Sequence, residues 1–483
     1  MLLAMTLPSQ SASLLEHEWT WPAPTPASVF GERRQRLRRL LGGRGVASAL
    51  LTSGWARPRN FEHNVYPFRA ESHFLYLVGR QLEGAVLWLT PDHEVLFVTE
   101  PPAANALWNG PQPTARDLEA ELELEVRPAE ELEQVVAGCP VATLPPQDQE
   151  SAEWLGALLD RDVVACSGPE AEGVDRLLAE CMIEIRLRHD EAALSQMRQA
   201  ARVTAKAHHA GLAATRIGLR EAVVRAEMER VIVGSGMTPA YGSIVTVHGE
   251  VLHDATHGRV LRDGDLLLAD VGAETPEGWA ADVTRTWPVN GRFSSSQREL
   301  YRAVLDAQRA AIDTVRPGAR YLDVHRAAGR SLAQSLVELG ILRGDPAELY
   351  ARGAVALFFP HGVGHLLGLD VHDMEDLGDH AGYAEGRVRG SLGGEDALRL
   401  DRDLAPDMVV TIEPGFYRIP ALLAERGRTR QLADAVDWGV LERFADVRGI
   451  RIEDDVRVTG SGAEVLTAAI VKEPDDVEAV VGR

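Results

Sequence analysis

Five segments between Asp270 and Glu453 set an acid or a histidine inside, or at the end of, an apolar strand-like run. They are LLLADVG with Asp270, WAADVTRTWPV with Asp282, FFPHGVGHLLGLDVHD with His361, His365 and His372, VVTIEPGFY with Glu413, and GIRIEDDVRVT with Glu453. A carboxylate on an apolar strand is costly to bury unless it is paired or bound to a metal. One such acid is commonly a satisfied core group. Five segments of this kind call for a fold that brings their ends to one place. Two of them also repeat each other. Residues 261–272, LRDGDLLLADVG, align without gaps to residues 404–415, LAPDMVVTIEPG, and Asp270 falls opposite Glu413. The pattern reads as a domain of two related halves, each delivering a carboxylate from a strand end into a central site.

Four carboxylates and one imidazole suit hard divalent ions such as Mn²⁺ or Mg²⁺ better than the Cys/His sets that favour zinc. Two divalent ions nearly balance four carboxylates. A metal pair roughly 3.5–4 Å apart can lower the pKa of a shared water toward neutrality, which makes metal-assisted hydrolysis the natural reaction class.

The rest of the chain frames this site. A basic helix is expected over 26–41, then strands in VASALLTSG, HFLYLVG, GAVLWLTP and HEVLFVTE, helices over 114–122 and 129–137, a strand in PVATL, and helices over 150–159 and 168–180. Strands alternating with helices give an N-terminal α/β domain over 26–183, preceded by an arm over 1–25. A helix capped at Asp190 runs to about Thr215, and another covers LREAVVRAEMERVIVGSG. Helices over 296–315 and 321–339 separate the first chemical cluster from the second. This block, 184–483, reads as an α+β domain. With 72 acidic and 50 basic residues the net charge is −22, which argues against nucleic-acid or anionic-membrane binding. Cys139, Cys166 and Cys181 form no disulfide framework and have no zinc-finger spacing. No apolar run reaches the length of a membrane span, and the N-terminus lacks the pattern of a secretory signal, so a cytoplasmic location is expected.

In this order the five segments resemble the M24 metallopeptidases, whose catalytic domain is the pita-bread fold. The likeness is greatest to the proline-specific branches, prolidase and aminopeptidase P. EHNVYPFRAESHFLYLVG resembles their N-terminal domain, and residues 184–470 their catalytic domain. The resemblance implies a binuclear site with Asp270, Asp282, His365, Glu413 and Glu453 as ligands, Asp282 and Glu453 bridging and Glu413 also acting as general base. It implies substrate-site roles for His253, His361 and His372, a place near the metals for Tyr241, and for Arg451 a grip on a ligand carboxylate. Mn²⁺ is the expected ion, with zinc or cobalt able to substitute. Proline-containing peptides are the expected substrates, and a homodimer or homotetramer the expected assembly. In that assembly residues 66–79 would help close a neighbouring subunit's site.

Dipeptidase and aminopeptidase differ at the carboxyl side of the substrate. ALRLDRDLAPDM resembles a stretch of the longer prolidases, which makes Arg399 the counterpart of an arginine that grips a dipeptide carboxylate, with Arg402 one helical turn on. Bidentate arginine is suited to a carboxylate. The Xaa-Pro dipeptidase is therefore the leading expectation and the Xaa-Pro aminopeptidase its alternative. Phosphotriester cleavage on the same site and a metal-free binding module are lesser readings. The module is disfavoured because all five ligand positions are filled.

Overall fold

The structure is a computed structural model that describes residues 21–166, 171–425 and 430–483. Most of the expected arm, and residues 168–170 of an expected helix, lie outside the described residues. The described end of the arm is strapped to the second domain. The Thr25 backbone N–H and hydroxyl both donate to Glu277, at 2.5 and 2.6 Å, and Gln196 donates to the Ala23 carbonyl at 2.9 Å.

The N-terminal half carries a five-stranded mixed sheet in the order Val126–Pro128, Glu94–Val98, Val86–Leu89, Ser48–Thr52, Val141–Thr143. The three inner strands pair antiparallel, and the two outer ones join them in parallel. Side chains alternate between two cores, as strand geometry requires. Ala49 and Leu51 face Leu37, Leu41 and Leu178 of the helices Ala27–Gly43 and Gly173–Arg186, while Leu50 faces Leu132, Val136 and Trp154. The division expected between 183 and 184 falls within the helix Gly173–Arg186.

One expected strand is a helix. HFLYLVG forms the helix Ser72–Val78, in which every residue is buried. Burial on all sides removes the amphipathic period that separates helix from strand in a sequence. The structural signals are at the ends. Glu71 accepts a hydrogen bond from the Phe74 N–H, and Gly79 closes the helix in the left-handed region at φ 72°, where a Cβ would collide with the Phe30 ring.

The second half is built from two matching hairpins. Leu266–Asp270 pairs antiparallel with Thr284–Pro288, and Val409–Ile412 pairs antiparallel with Asp454–Val458. Each hairpin is extended to three strands, by Ile244–Thr246 and Ala463–Val465 respectively. The pairing Ala269↔Arg285 in one half corresponds to Ile412↔Asp454 in the other, with Asp270 and Glu413 each next along the chain. The ungapped repeat is thus a repeat of structure. Helix pairs Glu191–Ala214 with Glu221–Gly234, and Ser295–Thr314 with Tyr321–Glu338, back the sheets. Among the described residues no helix is long and apolar enough to cross a membrane.

The two halves meet at the loop that carries His372. Ser72 donates to Asp370 at 2.7 Å, His73 Nε2 lies 3.0 Å from Asp376, and Arg186 donates to Asp373 at 2.7 Å. Arg69 bridges Glu274 and the Leu369 carbonyl. Glu71, His73 and Asp376 stand close enough to share a cation. However, Arg186 Nη1 lies 2.9 Å from His73 Nδ1. That contact makes Nδ1 the acceptor and leaves the ring proton on Nε2, toward Asp376, so the cluster is a hydrogen-bonded latch. Arg69, Ser72 and His73 are therefore engaged within their own chain, whereas Tyr66 is exposed beside the exposed Phe61 and Val65 of the Pro58–Phe61/Asn64–Val65 hairpin.

Candidate active site

The strand ends converge on a cavity of about 180 Å³. Its wall includes Asp270, Asp282, His365, Glu413 and Glu453, together with His253, His361, His372, Arg399 and Arg451. Ligand atoms of Asp282, His365 and Glu453 lie within 4.8 Å of one another. His365 Nε2 is 3.4 Å from Asp282 and 3.5 Å from Glu413.

Local backbone structure explains the placement. Gly364, at φ 154°, lets the HGVGH segment lie against the strand Val409–Ile412, since a Cβ there would sit 2.2 Å from the Thr411 carbonyl oxygen. The Thr411 N–H then donates to the His365 carbonyl and the His365 N–H to the Thr411 hydroxyl. The His365 ring places Nδ1 2.9 Å from the Leu366 carbonyl. Donation from Nδ1 orients the ring and turns Nε2 toward the acids, the usual arrangement of a metal-binding histidine.

A second layer holds the carboxylates. Arg451 donates to Asp270 at 2.6 Å and to the Thr284 hydroxyl at 2.9 Å. Thr284 in turn donates to Glu453 at 2.7 Å, and Tyr241 donates to Asp270 at 2.6 Å. The Asp282 N–H donates to the Asp455 carboxylate. Arg451 Nη1 reaches the Tyr417 hydroxyl at 3.3 Å, and that hydroxyl is 2.9 Å from His361 Nε2. Thr284, Tyr417 and Asp455 were not singled out from the sequence. Two of them carried a usable signal: Thr284 stands two residues beyond Asp282, and Asp455 two beyond Glu453, the spacing of side chains on one side of an extended chain.

The acids here are under electrostatic load. Burial pushes Glu453 well above the usual carboxylate range, and the charges of Asp282, Glu413 and Asp270 act in the same direction. Burial likewise raises Asp270, against the pull of Arg451. Glu413 is pushed up to about 7, chiefly by burial. Burial would raise Asp282 too, but its hydrogen bond to His365 brings it below the ordinary value. Burial disfavours the charged form of His365, yet Asp282 and Glu413 outweigh it and lift the ring to about 9. Burial holds His361 and His372 neutral, each lowered to about 3. Four buried acids against one guanidinium and one imidazole leave an excess of negative charge and of oxygen donors. Divalent cations fit that set.

The two arginines expected at the substrate part company. Arg399 lines the cavity and is ion-paired with Glu375, a residue sequence reasoning left without a role. Arg402 must be corrected. Its guanidinium donates to the backbone carbonyls of Ala381 and His380, and it is not part of the cavity wall. The stretch is extended, with Asp401 and Asp403 in β-bridges, so positions 399 and 402 fall on opposite faces instead of one helical turn apart.

Comparison with known proteins agrees with this geometry. Residues 195–460 match the metallopeptidase family M24, and residues 30–139 match the aminopeptidase P N-terminal domain. The chain is 31% identical over 475 residues to a Xaa-Pro dipeptidase of Rattus norvegicus, covering 94% of this chain and 93% of that protein. It is 32% identical over 472 residues to a Xaa-Pro aminopeptidase of Haemophilus influenzae, covering 95% and 99%. Among solved structures, a zinc-substituted aminopeptidase P of E. coli in complex with product superposes with a TM-score of 0.75 at 30% identity, over 95% of this chain and 98% of that one. The paired hairpins, the acid-rich cavity and the matched length lead to one assignment: the chain belongs to metallopeptidase family M24, joined to an aminopeptidase P N-terminal domain.

Proposed function

We propose that the chain hydrolyses the Xaa-Pro peptide bond with two divalent ions, Mn²⁺ by preference, held by Asp270, Asp282, His365, Glu413 and Glu453. The observation that carries this reading is the convergence of those donors in one cavity, where burial raises the carboxyl groups of Glu413 and Glu453. Bound ions would supply Lewis acidity toward the scissile carbonyl and make a water nucleophilic near neutral pH.

The chain's own residues do the rest. Glu413 accepts the proton of the attacking water and passes it to the proline nitrogen as that nitrogen leaves. The tertiary Xaa-Pro amide offers no N–H for recognition, so orientation falls to groups that face the carbonyl. His253 and His372, both in the cavity wall, hydrogen-bond the developing oxyanion in this reading, a stabilisation commonly worth about 3–4 kcal/mol. His361, held by Tyr417, lines the wall beside them. Arg451 and Tyr241 fix Asp270, and Thr284 fixes Glu453. The domain division proposed is 26–183 and 184–483. A homodimer or homotetramer, in which the exposed Phe61–Tyr66 edge meets a neighbour's cavity, completes the reading.

Arg399 in the cavity wall supports action on dipeptides, because a free proline carboxylate would meet it. Its ion pair with Glu375 favours a second reading, action on longer peptides. Mn²⁺-dependent cleavage of a Xaa-Pro dipeptide and a matched tripeptide, by wild type and Arg399→Ala, tests the proposal. Dipeptide cleavage that collapses in the variant supports the dipeptidase. Tripeptide preference untouched by the variant supports the aminopeptidase. No cleavage of either rejects the Xaa-Pro reading.

A further inference from the structure

Past Arg399 the space does not end. A second cavity, of about 300 Å³, is lined by Met374, Glu375, Asp379 and Arg389, and it shares Ala397 and Arg399 with the first. The two chambers stand in series with Arg399 in the wall between them. Glu375 governs that wall. One carboxylate oxygen is ion-paired with Arg399 and lies 3.7 Å from His372 Nδ1. The other, Oε1, is buried and has no hydrogen-bond partner among the described residues.

We infer that Glu375 reads the chemical group that follows proline, and that the second chamber takes the residues beyond it. The inference rests on the Xaa-Pro reading and adds a specificity-determining residue to it. A dipeptide ends in a carboxylate, which is negative and can only accept hydrogen bonds. At this wall it meets a guanidinium already neutralised and a carboxylate oxygen that repels it. In a longer peptide the same position is an uncharged amide, which escapes that repulsion. The chain then continues into a chamber whose wall carries the Asp379–Arg389 ion pair, at 2.6 Å. Glu375 thereby converts a carboxylate clamp into an amide reader.

The test uses three substrates with the same Xaa-Pro bond: the free dipeptide, the dipeptide amide Xaa-Pro-NH₂ and a tripeptide. Each is given to the metal-loaded wild type and to Glu375→Gln. Wild type is expected to prefer the amide and the tripeptide over the free dipeptide by about tenfold or more in kcat/KM, the scale of one like-charge contact removed. Glu375→Gln should narrow that gap by about tenfold, mainly through a lower KM for the free dipeptide. Equal wild-type turnover of acid and amide overturns the inference without any variant, as does an unchanged ratio in Glu375→Gln. Cleavage of the amide but not the tripeptide overturns the role of the second chamber. Failure on all three substrates rejects the Xaa-Pro reading itself, a distinct result.

Discussion

The central cavity has two unlike walls. On the metal-facing wall the charged groups are nearly sequestered: Asp282, His365, Arg451 and Glu453 are 5%, 3%, 4% and 2% exposed. On the peptide-exit wall the Arg399 and Glu375 side chains are 42% and 35% exposed. Charge at the first wall is expensive and is tolerated because hydroxyls, a guanidinium and cations answer it. Charge at the second is cheap, since exposed ion pairs typically contribute about 0–1 kcal/mol. The first wall is fixed by stability and chemistry together. The second is free to vary, and substrate preference can change there at little cost to the fold.

The sharpest way to break this contrast is to remove a charge from each wall. Asp282→Ala should lose turnover together with the thermal shift that divalent ion gives the wild type. That shift corresponds to about 2.7 kcal/mol at a concentration of 100 times Kd. Arg399→Ala should keep the whole shift. Calorimetry with and without Mn²⁺ reads both, and a shift retained in Asp282→Ala would refute the ligand assignment.

Behind the metal wall stands the latch between the domains. Arg186→Met leaves Asp373, 3% exposed, without its partner, and a buried carboxylate so stranded should cost about 3–5 kcal/mol. Denaturant titration measures this, and a loss below about 1 kcal/mol would show the latch to be incidental.

The smallest effect depends on pH. Burial pushes Glu274 up to about 7, with Arg69 pulling it back and Asp370 adding to the rise. The folded protein therefore holds this proton more tightly than the unfolded chain does. The resulting stability is complete below the ordinary glutamate value and is lost as pH rises through 7. It amounts to roughly 2–3 kcal/mol between pH 4 and 8. Glu274→Gln should flatten the slope. Equal urea midpoint changes from pH 5 to pH 8 in wild type and variant would remove Glu274 as its source.

What could be read from the sequence follows the same division. Asp270, Asp282, Glu413 and Glu453 were legible because acids in apolar strands demand explanation. The alignment of residues 261–272 with 404–415 exposed the two-hairpin architecture, because matching strand ends must occupy matching places. The helix Ser72–Val78 was not legible, since complete burial erases periodicity and leaves only its end groups as signals. Arg402 was misplaced because an i to i+3 spacing has no direction until the backbone has a conformation. Glu375 was silent because an exposed acid is ordinary, and its meaning came only when the loop brought it onto Arg399.

The latch also sets what can be taken apart. Asp370, Asp373 and Asp376 surround His372 in sequence; Ser72 and His73 of the first domain answer Asp370 and Asp376, and Arg186, at the end of the helix that joins the two domains, answers Asp373. The first domain serves as a jig for a histidine it does not own. A catalytic half expressed alone would keep all five donor residues and lose the part that holds His372 in line. Damage in the distant sheet should accordingly surface as faulty substrate alignment before it surfaces as lost metal.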